Sequence, residues 1–319
     1  GCLEKFKNEP RAYSIKKKYD LIIIGAGPAG LTAGVYASIL KIDTLLLSTD
    51  IGGQAVDSTK IKNYMGFDFI TGPELLAKFK NQLIHHHYID HKIETAVSVR
   101  KLKNYFSTKT LSGHIYQSRA LIVATGMIRK KLGVPGESKF RRKGICYAAS
   151  QDIPLLAGKK VAVIGGGNSA LQIVLELHKY KCEIIIISIE PWTADKSLIE
   201  EMKTIKKLKI FDHHAVTKIK GKEKVEQILI KDLLNQDELE IDIEAIFLAI
   251  GLSPNAYLVK HLVELNERGE IEIRPDCSTK TPGLFAAGDV TNVFAKRIVI
   301  AAGEGAKAAL AARKYLMRE

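Results

Sequence analysis

The sequence is poor in cysteine and has no long apolar segment. Its longest apolar runs, such as residues 21–24 and 184–187, have the length of a strand and exclude a membrane-spanning helix. Residues 1–18 form a basic N-terminal arm without the apolar core of a signal peptide. These absences favour a cytoplasmic protein. The few cysteines have neither metal-site spacing nor the spacing of a tight redox pair, and they are Cys2, Cys146, Cys182 and Cys277.

The charge is strongly positive, because 48 Lys and Arg residues exceed 35 Asp and Glu residues, and the formal net charge is +13. Residues 129–143 are the densest basic stretch, with Glu137 as their one acidic residue. The stretch is either a solvated surface or a docking site for an acidic electron-transfer protein. No nucleic-acid recognition module accompanies it, so nucleic acid is not expected as a partner. Its basic residues are Arg129, Lys130, Lys131, Lys139, Arg141, Arg142 and Lys143.

A glycine-rich turn between a predicted strand (20–24) and a predicted helix (from 31) indicates a nucleotide site. In such a turn the glycines permit a tight bend and a close approach to a diphosphate, and the helix N-terminus supplies free N–H groups. Asp50 follows the next predicted strand, at 44–47, and is the candidate for binding the ribose hydroxyls. The turn consists of Gly25, Ala26, Gly27, Pro28, Ala29 and Gly30.

The same pattern recurs once, with a predicted strand at 161–164 and a predicted helix at 171–180. It indicates a second nucleotide site and an α/β fold with two doubly wound, Rossmann-like domains. The second turn consists of Gly165, Gly166, Gly167, Asn168, Ser169 and Ala170.

Five further segments carry short motifs: Gly-Gly-Gln at 52–54, Asn-Tyr at 63–64, Ala-Leu-Ile-Val-Ala-Thr-Gly at 120–126, Gly-Leu-Phe-Ala-Ala-Gly-Asp at 283–289, and a helix at 298–310. In this order they resemble the flavin-lining motifs of the thioredoxin reductase family. The region around 296–310 is similar in particular to the flavoprotein component of alkyl hydroperoxide reductase. The resemblance implies that FAD occupies the first turn and is lined by Gly53, Gln54, Asn63, Thr125, Gly126, Gly288, Asp289, Arg297 and Ile298.

The resemblance also implies the architecture of the class II pyridine nucleotide-disulfide oxidoreductases. A discontinuous FAD domain is expected at 19–132 and 254–319, with a nicotinamide-type domain inserted at 133–253. Residues 133–136 and 251–254 are expected as the two strands that connect the domains. The family forms homodimers, so a homodimer is expected. Arg297 departs from the family, where Gln usually stands beside the flavin.

A pair of cysteines that the family uses is missing. The family motif Tyr-Cys-x-x-Cys-Asp aligns with residues 147–152 and puts Ala148 and Gln151 at the two cysteine positions, followed by Asp152 at the position of the family's general acid. A second register, which begins at Cys146, supplies one thiol only. Because a disulfide is reduced through a thiolate, no internal dithiol relay to thioredoxin is expected. Asp152 then has no thiolate to protonate and is expected as a residual polar group.

The second site is expected to prefer NADH over NADPH. Relatives that use NADPH carry an arginine cluster after the second strand of this domain, which binds the 2′-phosphate. Residues 188–195 contain no Arg, and Glu190 lies about where a carboxylate binds an unmodified ribose. The alternative is a site that no longer takes a nicotinamide, with Trp192 filling it or stacking on an adenine.

These features favour an FAD-dependent oxidoreductase without the dithiol relay. It would pass electrons, taken from NADH, to an external acceptor: a small redox protein, a quinone, oxygen or an external disulfide. The alternative is a redox-silent flavoprotein that acts as a binding or regulatory module, with a second FAD or another adenine nucleotide in the inserted domain. No metal site is expected, since the neighbouring histidines at 85–87 and 213–214 point in different directions.

Overall fold

The computed structural model describes residues 17–58, 60–84, 87–141, 143–146, 153–205 and 207–318. The chain divides into two compact units: Gly1–Met127 together with Pro254–Glu319, and Ile128–Ser253. The second unit is therefore an insertion in the first. Within the described ranges, no helix is both long and apolar enough to cross a membrane, and no group of His, Cys, Asp or Glu side chains is arranged to hold a metal ion.

Helices alternate with strands over much of the chain. The helices are α1 (Pro28–Ile39), α2 (Gly72–Ile84), α3 (Glu137–Phe140), α4 (Asn168–Lys179), α5 (Lys196–Met202) and α6 (Ile298–Leu316). The strands are β1 (Lys18–Ile24), β2 (Thr44–Ser48), β3 (Ile89–Ile93), β4 (Ala96–Lys101), β5 (Phe106–Thr110), β6 (Ile115–Val123), β7 (Met127–Arg129), β8 (Ile145–Cys146), β9 (Lys160–Ile164), β10 (Glu183–Ser188), β11 (Leu208–Asp212), β12 (His214–Lys220), β13 (Gln227–Asp232), β14 (Glu238–Asp242), β15 (Ala245–Leu248), β16 (Leu252–Pro254) and β17 (Leu284–Ala286).

The first unit is built on a seven-stranded sheet with the order β3-β2-β1-β6-β5-β4, and β17 also pairs with β6. β3, β2, β1, β6 and β17 pair in parallel, whereas β4, β5 and β6 pair in antiparallel fashion. Every residue of β2 is buried, as is typical of a parallel strand covered on both faces. Apolar residues of α1 and α6 form one core cluster with Leu21 and Ile23 of β1. Ile22 and Ile24 of the same strand belong to a second core cluster.

The second unit has a five-stranded parallel sheet with the order β11-β10-β9-β15-β8. A separate antiparallel sheet, β12-β13-β14, completes the unit. Val161 and Val163 of β9 pack with residues of α4, while Ala162 and Ile164 pack with residues of the antiparallel sheet. Successive side chains of β9 thus point to opposite faces of the parallel sheet, and each face packs in a core of its own.

The predicted internal repeat is visible in the structure. α1 and α4 have 12 residues each, and they begin at corresponding positions 140 residues apart. Each helix follows a glycine with a positive φ, 107° at Gly25 and 130° at Gly165. Each is followed by a lysine in the left-handed region, Lys41 at 54° and Lys181 at 57°. The same strand–turn–helix–strand module is therefore built twice.

The first of the two strands that connect the units does not lie where the sequence predicted it. The two units are joined by β7 and β16, which pair with each other, and the first connecting strand is therefore not at 133–136. Gly133 and Gly136 have φ values of +71° and +96°, which belong to turns and not to an extended strand. Residues 128–132, expected in the first domain, fall in the second unit. Two helices also differ in length: α4 begins at Asn168, and α6 continues to Leu316.

α1 and α6 cross at backbone distance in the first unit. A Cβ atom added at Gly305 of α6 would lie 2.0 Å from the backbone oxygen of Ala29 in α1. Gly305 is buried, whereas Gly303, in the same helix, is exposed and has nothing within 4 Å of an added Cβ. The crossing therefore needs glycine at 305 but not at 303.

Replacing Gly305 with Ala should destabilise the protein by about 1–3 kcal/mol or more, because the new methyl group overlaps main-chain atoms that cannot rotate away. Gly303→Ala is the matched control and should stabilise the protein by up to about 1 kcal/mol through helix propensity. Urea unfolding midpoints of the two variants measure the difference. Equal midpoints would show that the two helices do not approach this closely.

Candidate functional site

Both glycine turns bring a helix start against a neighbouring strand. A Cβ added at Gly25 would lie 2.3 Å from the Ala124 oxygen, and one added at Gly165 would lie 2.3 Å from the Ala249 oxygen. The positive φ at each glycine adds backbone strain for any other residue. The turn therefore places the start of the helix at the carboxyl ends of the parallel strands, where ligands bind in doubly wound sheets.

The glycine two residues further along each turn faces open space. An added Cβ at Gly27 has nothing within 4 Å, and one at Gly167 has only the Thr193 hydroxyl, at 4.0 Å. The φ values of −75° and −92° are accessible to any residue. Neither position therefore requires glycine for packing or for backbone conformation. Each leaves room for a ligand to approach the main chain.

The helices that follow these turns have no side-chain cap. Gly27 and Gly167 are the N-cap residues of α1 and α4, and neither helix has an acidic residue in its first turn. α2 contrasts with them, because the Thr71 hydroxyl and the Glu74 carboxylate form a capping box in which each accepts a bond from the other's N–H. The free N–H groups and the positive ends of α1 and α4 fit a diphosphate.

The loop after β2 is bonded to the first turn. Gly52 N–H donates to the Ala26 oxygen at 2.7 Å, and Gly53 lies close enough that its added Cβ would be 3.4 Å from Gly27 Cα. The side chain of Gln54 donates to the Met127 oxygen at 2.5 Å. Asp50 is exposed, at the carboxyl end of β2. Of the predicted residues in this loop, Gly53 thus lies against the first glycine turn, and Gln54 is held at the start of β7.

The segment after β6 is hydrogen-bonded to Asn255, a residue far away in the sequence but in the same unit. Thr125 donates its hydroxyl to the Asn255 oxygen at 2.7 Å, and Asn255 N–H donates to the Gly126 oxygen at 2.9 Å. The Asn255 side-chain oxygen is buried, and no hydrogen-bond partner for it lies among the described residues. An orphaned buried acceptor beside the predicted flavin strand fits a ligand donor. Asn63, by contrast, is exposed on the loop beside the half-buried Tyr64.

A buried carboxylate that sequence reasoning missed organises the Gly288–Asp289 loop. Glu304 of α6 is 5% exposed and accepts bonds from Gly288 N–H and the Thr291 hydroxyl, both at 3.2 Å. Burial raises the pKa of the neighbouring Asp289, and Glu304 adds to the effect, while Lys296 and Arg297 oppose it. An acidic residue in a Gly- and Ala-rich helix was the sequence signal for Glu304.

Arg297 and Ile298 mark the start of α6. Arg297 is the N-cap residue but makes no side-chain cap, and the helix has no acidic residue in its first turn. The Arg297 guanidinium is exposed and donates to the Lys296 oxygen at 2.8 Å. Among the described residues, no side chain caps the N-terminus of α6, and no acidic side chain in its first turn offsets the positive end of the helix dipole.

In the second unit, the loop after β10 is bonded to the second turn. Thr193 N–H donates to the Gly166 oxygen at 2.9 Å. Asn168 exchanges two bonds with Asp195, at 2.9 and 2.7 Å. Trp192 lies against the turn, with its Cδ1 3.1 Å from an added Cβ at Gly166.

The indole N–H of Trp192 is buried, and no hydrogen-bond acceptor for it lies among the described residues. Glu190 and Ser169 are exposed, whereas Ala170 is buried in the core. Trp192, Thr193 and Asp195 thus lie against the second turn or its helix, and the orphaned indole N–H fits a polar ligand there. Ala148, Gln151 and Asp152 lie outside the described residues.

The chain belongs to the pyridine nucleotide-disulphide oxidoreductase family, whose model matches residues 19–311. It is 37% identical over 308 residues to the F subunit of alkyl hydroperoxide reductase from Escherichia coli (strain K12), a match that covers 94% of this chain and 58% of that protein. It is 33% identical over 304 residues to the NADH dehydrogenase of Ferdinandcohnia aciditolerans, with 95% and 58% covered. The chain thus spans about three fifths of the length of these curated relatives.

Solved structures agree with this assignment. Thioredoxin reductase of Lactococcus lactis superimposes with a TM-score of 0.78 at 30% identity, covering 94% of this chain and 100% of that one. The predicted resemblance and fold class are confirmed: the chain has the two-domain Rossmann-like architecture of these FAD- and NAD(P)H-dependent oxidoreductases. Membership of the family implies FAD and a nicotinamide nucleotide as cofactors.

Replacing Gly27 with Val should reduce FAD retention by about tenfold or more, because the side chain fills the space where the main chain must meet a diphosphate. The fold should survive, since the position is open and its φ is ordinary. Flavin absorbance per protein after gel filtration measures retention, and circular dichroism checks the fold.

Gly167→Val is the matched control, at the corresponding position of the second turn. It should leave FAD bound and weaken nicotinamide binding instead. Normal flavin content in Gly27→Val would contradict the assignment of the first turn to FAD, and loss of flavin in both variants would point to a general folding defect.

Proposed function

We propose that this chain is an FAD-dependent oxidoreductase that takes a hydride from NADH and passes the electrons to an acceptor outside the chain. The observation that carries the proposal is the pair of open glycine turns, one in each unit, each followed by an uncapped helix. Two diphosphate sites in one chain suit FAD in the first unit and a nicotinamide dinucleotide in the second.

Bound FAD would supply two-electron chemistry at its ring, and the residues of the first unit would hold and tune it. The free positive end of α6 suits the negative charge that a reduced flavin carries. Asp289 follows Gly288 in the loop that Glu304 fixes, and it would accept a bond from a ribityl hydroxyl. The orphaned Asn255 oxygen would accept a further bond from the cofactor.

The preference for NADH rests on charge. Residues 188–195 contain two carboxylates, Glu190 and Asp195, and no Lys or Arg. A phosphate on the ribose carries about −1.5 to −2 charges and would meet them without a counter-charge. A relative named NADH dehydrogenase supports the same choice.

An external acceptor follows from the missing cysteine pair. With Ala148 and Gln151 at the family's cysteine positions, electrons would leave the flavin without an internal disulfide. The basic stretch of the second unit suits an acidic electron-transfer protein as acceptor, since Lys130, Lys131 and Lys143 are exposed. An acceptor of opposite charge would associate faster at low salt.

The wild-type protein should take up two electrons per FAD, because a flavin accepts two and no disulfide accepts two more. Anaerobic titration with dithionite, followed by flavin absorbance, counts the electrons. Uptake of four electrons by the wild type would contradict the loss of the dithiol.

The double variant Ala148→Cys with Gln151→Cys is the matched test of the register and should take up four electrons after oxidation. Ala149→Cys, which pairs with Cys146 in the second register, should still take up two. The reverse outcome would show that the family's cysteine positions are 146 and 149.

Glu190→Arg should shift the nucleotide preference toward NADPH, since it removes a repulsion and adds an ion pair with the 2′-phosphate. The expected change in the NADH-to-NADPH ratio is about 5–150-fold. Rates of anaerobic flavin reduction by each nucleotide give the ratio. An unchanged ratio would remove Glu190 from the ribose site, and a wild type that neither nucleotide reduces would favour a redox-silent flavoprotein.

A further inference from the structure

The two copies of the repeated module end in the same way. β2 ends at Ser48 and β10 at Ser188, at corresponding positions 140 residues apart, and each serine is 5% exposed. Both lie at the carboxyl ends of parallel strands, just after the main chain that the glycine turn contacts: Gly25 N–H donates to the Leu47 oxygen at 2.8 Å, and Gly165 N–H to the Ile187 oxygen at 2.9 Å. The end of this strand is the region where dinucleotide folds bind a ribose.

The serines differ in the partner that the next strand supplies. Ser48 Oγ lies 3.0 Å from His91 Nε2 of β3, a ring whose pKa burial lowers. Ser188 Oγ donates to Asp212 Oδ1 of β11 at 2.8 Å. The module therefore carries an imidazole at this place in the first unit and a carboxylate in the second.

The position of Asp212 is fixed by strand register. Ser188 and Asp212 are paired residues at the ends of β10 and β11, so the carboxylate lies at the same edge of the sheet as the second glycine turn. The Ser188 hydroxyl donates its only proton to Asp212. The lone pairs of the serine oxygen are then available to accept a bond from a ribose hydroxyl. The orphaned indole N–H of Trp192 lies in the loop that follows Ser188 and is a second sign that a polar ligand completes this place.

We infer that Asp212, acting through Ser188, is a second determinant of ribose specificity in the nicotinamide site, in addition to Glu190. Ser188 accepts a bond from the 2′-hydroxyl of an unmodified ribose, and the charge of Asp212, the bonded partner of that serine, disfavours a 2′-phosphate. The inference rests on the proposed function, since it requires a nicotinamide dinucleotide in the second unit. It adds a residue that lies 22 positions beyond Glu190 in the sequence.

Asp212→Asn tests the inference with little steric change, because Asn keeps an oxygen that accepts the Ser188 bond and removes only the charge. Trp192 is the one tryptophan of the chain and lies against the turn, so its fluorescence reports binding at this site. Titration of the holoprotein with NAD⁺ and with NADP⁺ gives two dissociation constants without any redox turnover. We expect the NADP⁺-to-NAD⁺ affinity ratio to rise by roughly tenfold in the variant.

Asp242→Asn is the matched control, since Asp242 is also a carboxylate that accepts one side-chain bond, from Gln227, in the separate antiparallel sheet. It should leave the ratio unchanged. Ser188→Ala gives a second readout if Asp212→Asn does not fold, and it should weaken NAD⁺ by about 2–10-fold through the lost bond to the ribose.

The outcomes separate the inference from the proposed function. An unchanged ratio in Asp212→Asn, or an unchanged NAD⁺ affinity in Ser188→Ala, would overturn the inference and leave the function standing. A wild type that binds neither nucleotide would overturn the proposed use of NADH and the inference with it. Equal shifts in Asp212→Asn and Asp242→Asn would show a general charge effect and would also overturn the inference.

Discussion

Close approach between backbones at the two glycine turns is the constraint on which both sites depend. At Gly25 and Gly165 the main chain passes so near the next strand that a Cβ atom would overlap a carbonyl oxygen. This contact fixes where α1 and α4 begin and aims their unbonded N–H groups at one edge of each sheet. The crossing of α1 with α6 at Gly305 then places Glu304 under the Gly288–Asp289 loop. Packing therefore fixes the geometry of the helix starts that are the candidate diphosphate sites.

The two copies of the module share their backbone design and differ in the side chains at the ends of their strands. Turns, helix lengths and the left-handed lysines correspond in the two units. The loops after the second strand differ, and so do the partners of the serines that end it, His91 and Asp212. A duplicated binding module can thus diverge in specificity through a few side chains at strand ends, without change to the core that aligns the strands.

Local patterns were enough to predict the strands, turns and helices that build each site, and the family resemblance supplied their order. Gly133 and Gly136 show where such reasoning failed, because a Gly/Pro segment that resembles a connection has positive φ values and forms turns. The pairs Glu304–Gly288 and Ser188–Asp212 were also missed. Both join residues that are brought together by helix crossing or strand register, and no sequence period encodes such a contact. The segment with Ala148 and Gln151 lies outside the described residues, so its register rests on the sequence alone.

The thiols of the described residues support the proposal that electrons leave this protein from the flavin. A disulfide is attacked by a thiolate, so a thiol must be accessible and must ionise. Burial raises the pKa of Cys182, and burial together with Glu304 raises that of Cys277 to about 12. Both side chains lie in cores of their units. Cys146, which is partly buried at the end of β8, is the one remaining thiol among the described residues and has no second cysteine beside it in the sequence. If, as proposed, no thiol relay lies between flavin and acceptor, surface charge and not thiol chemistry would select the partner.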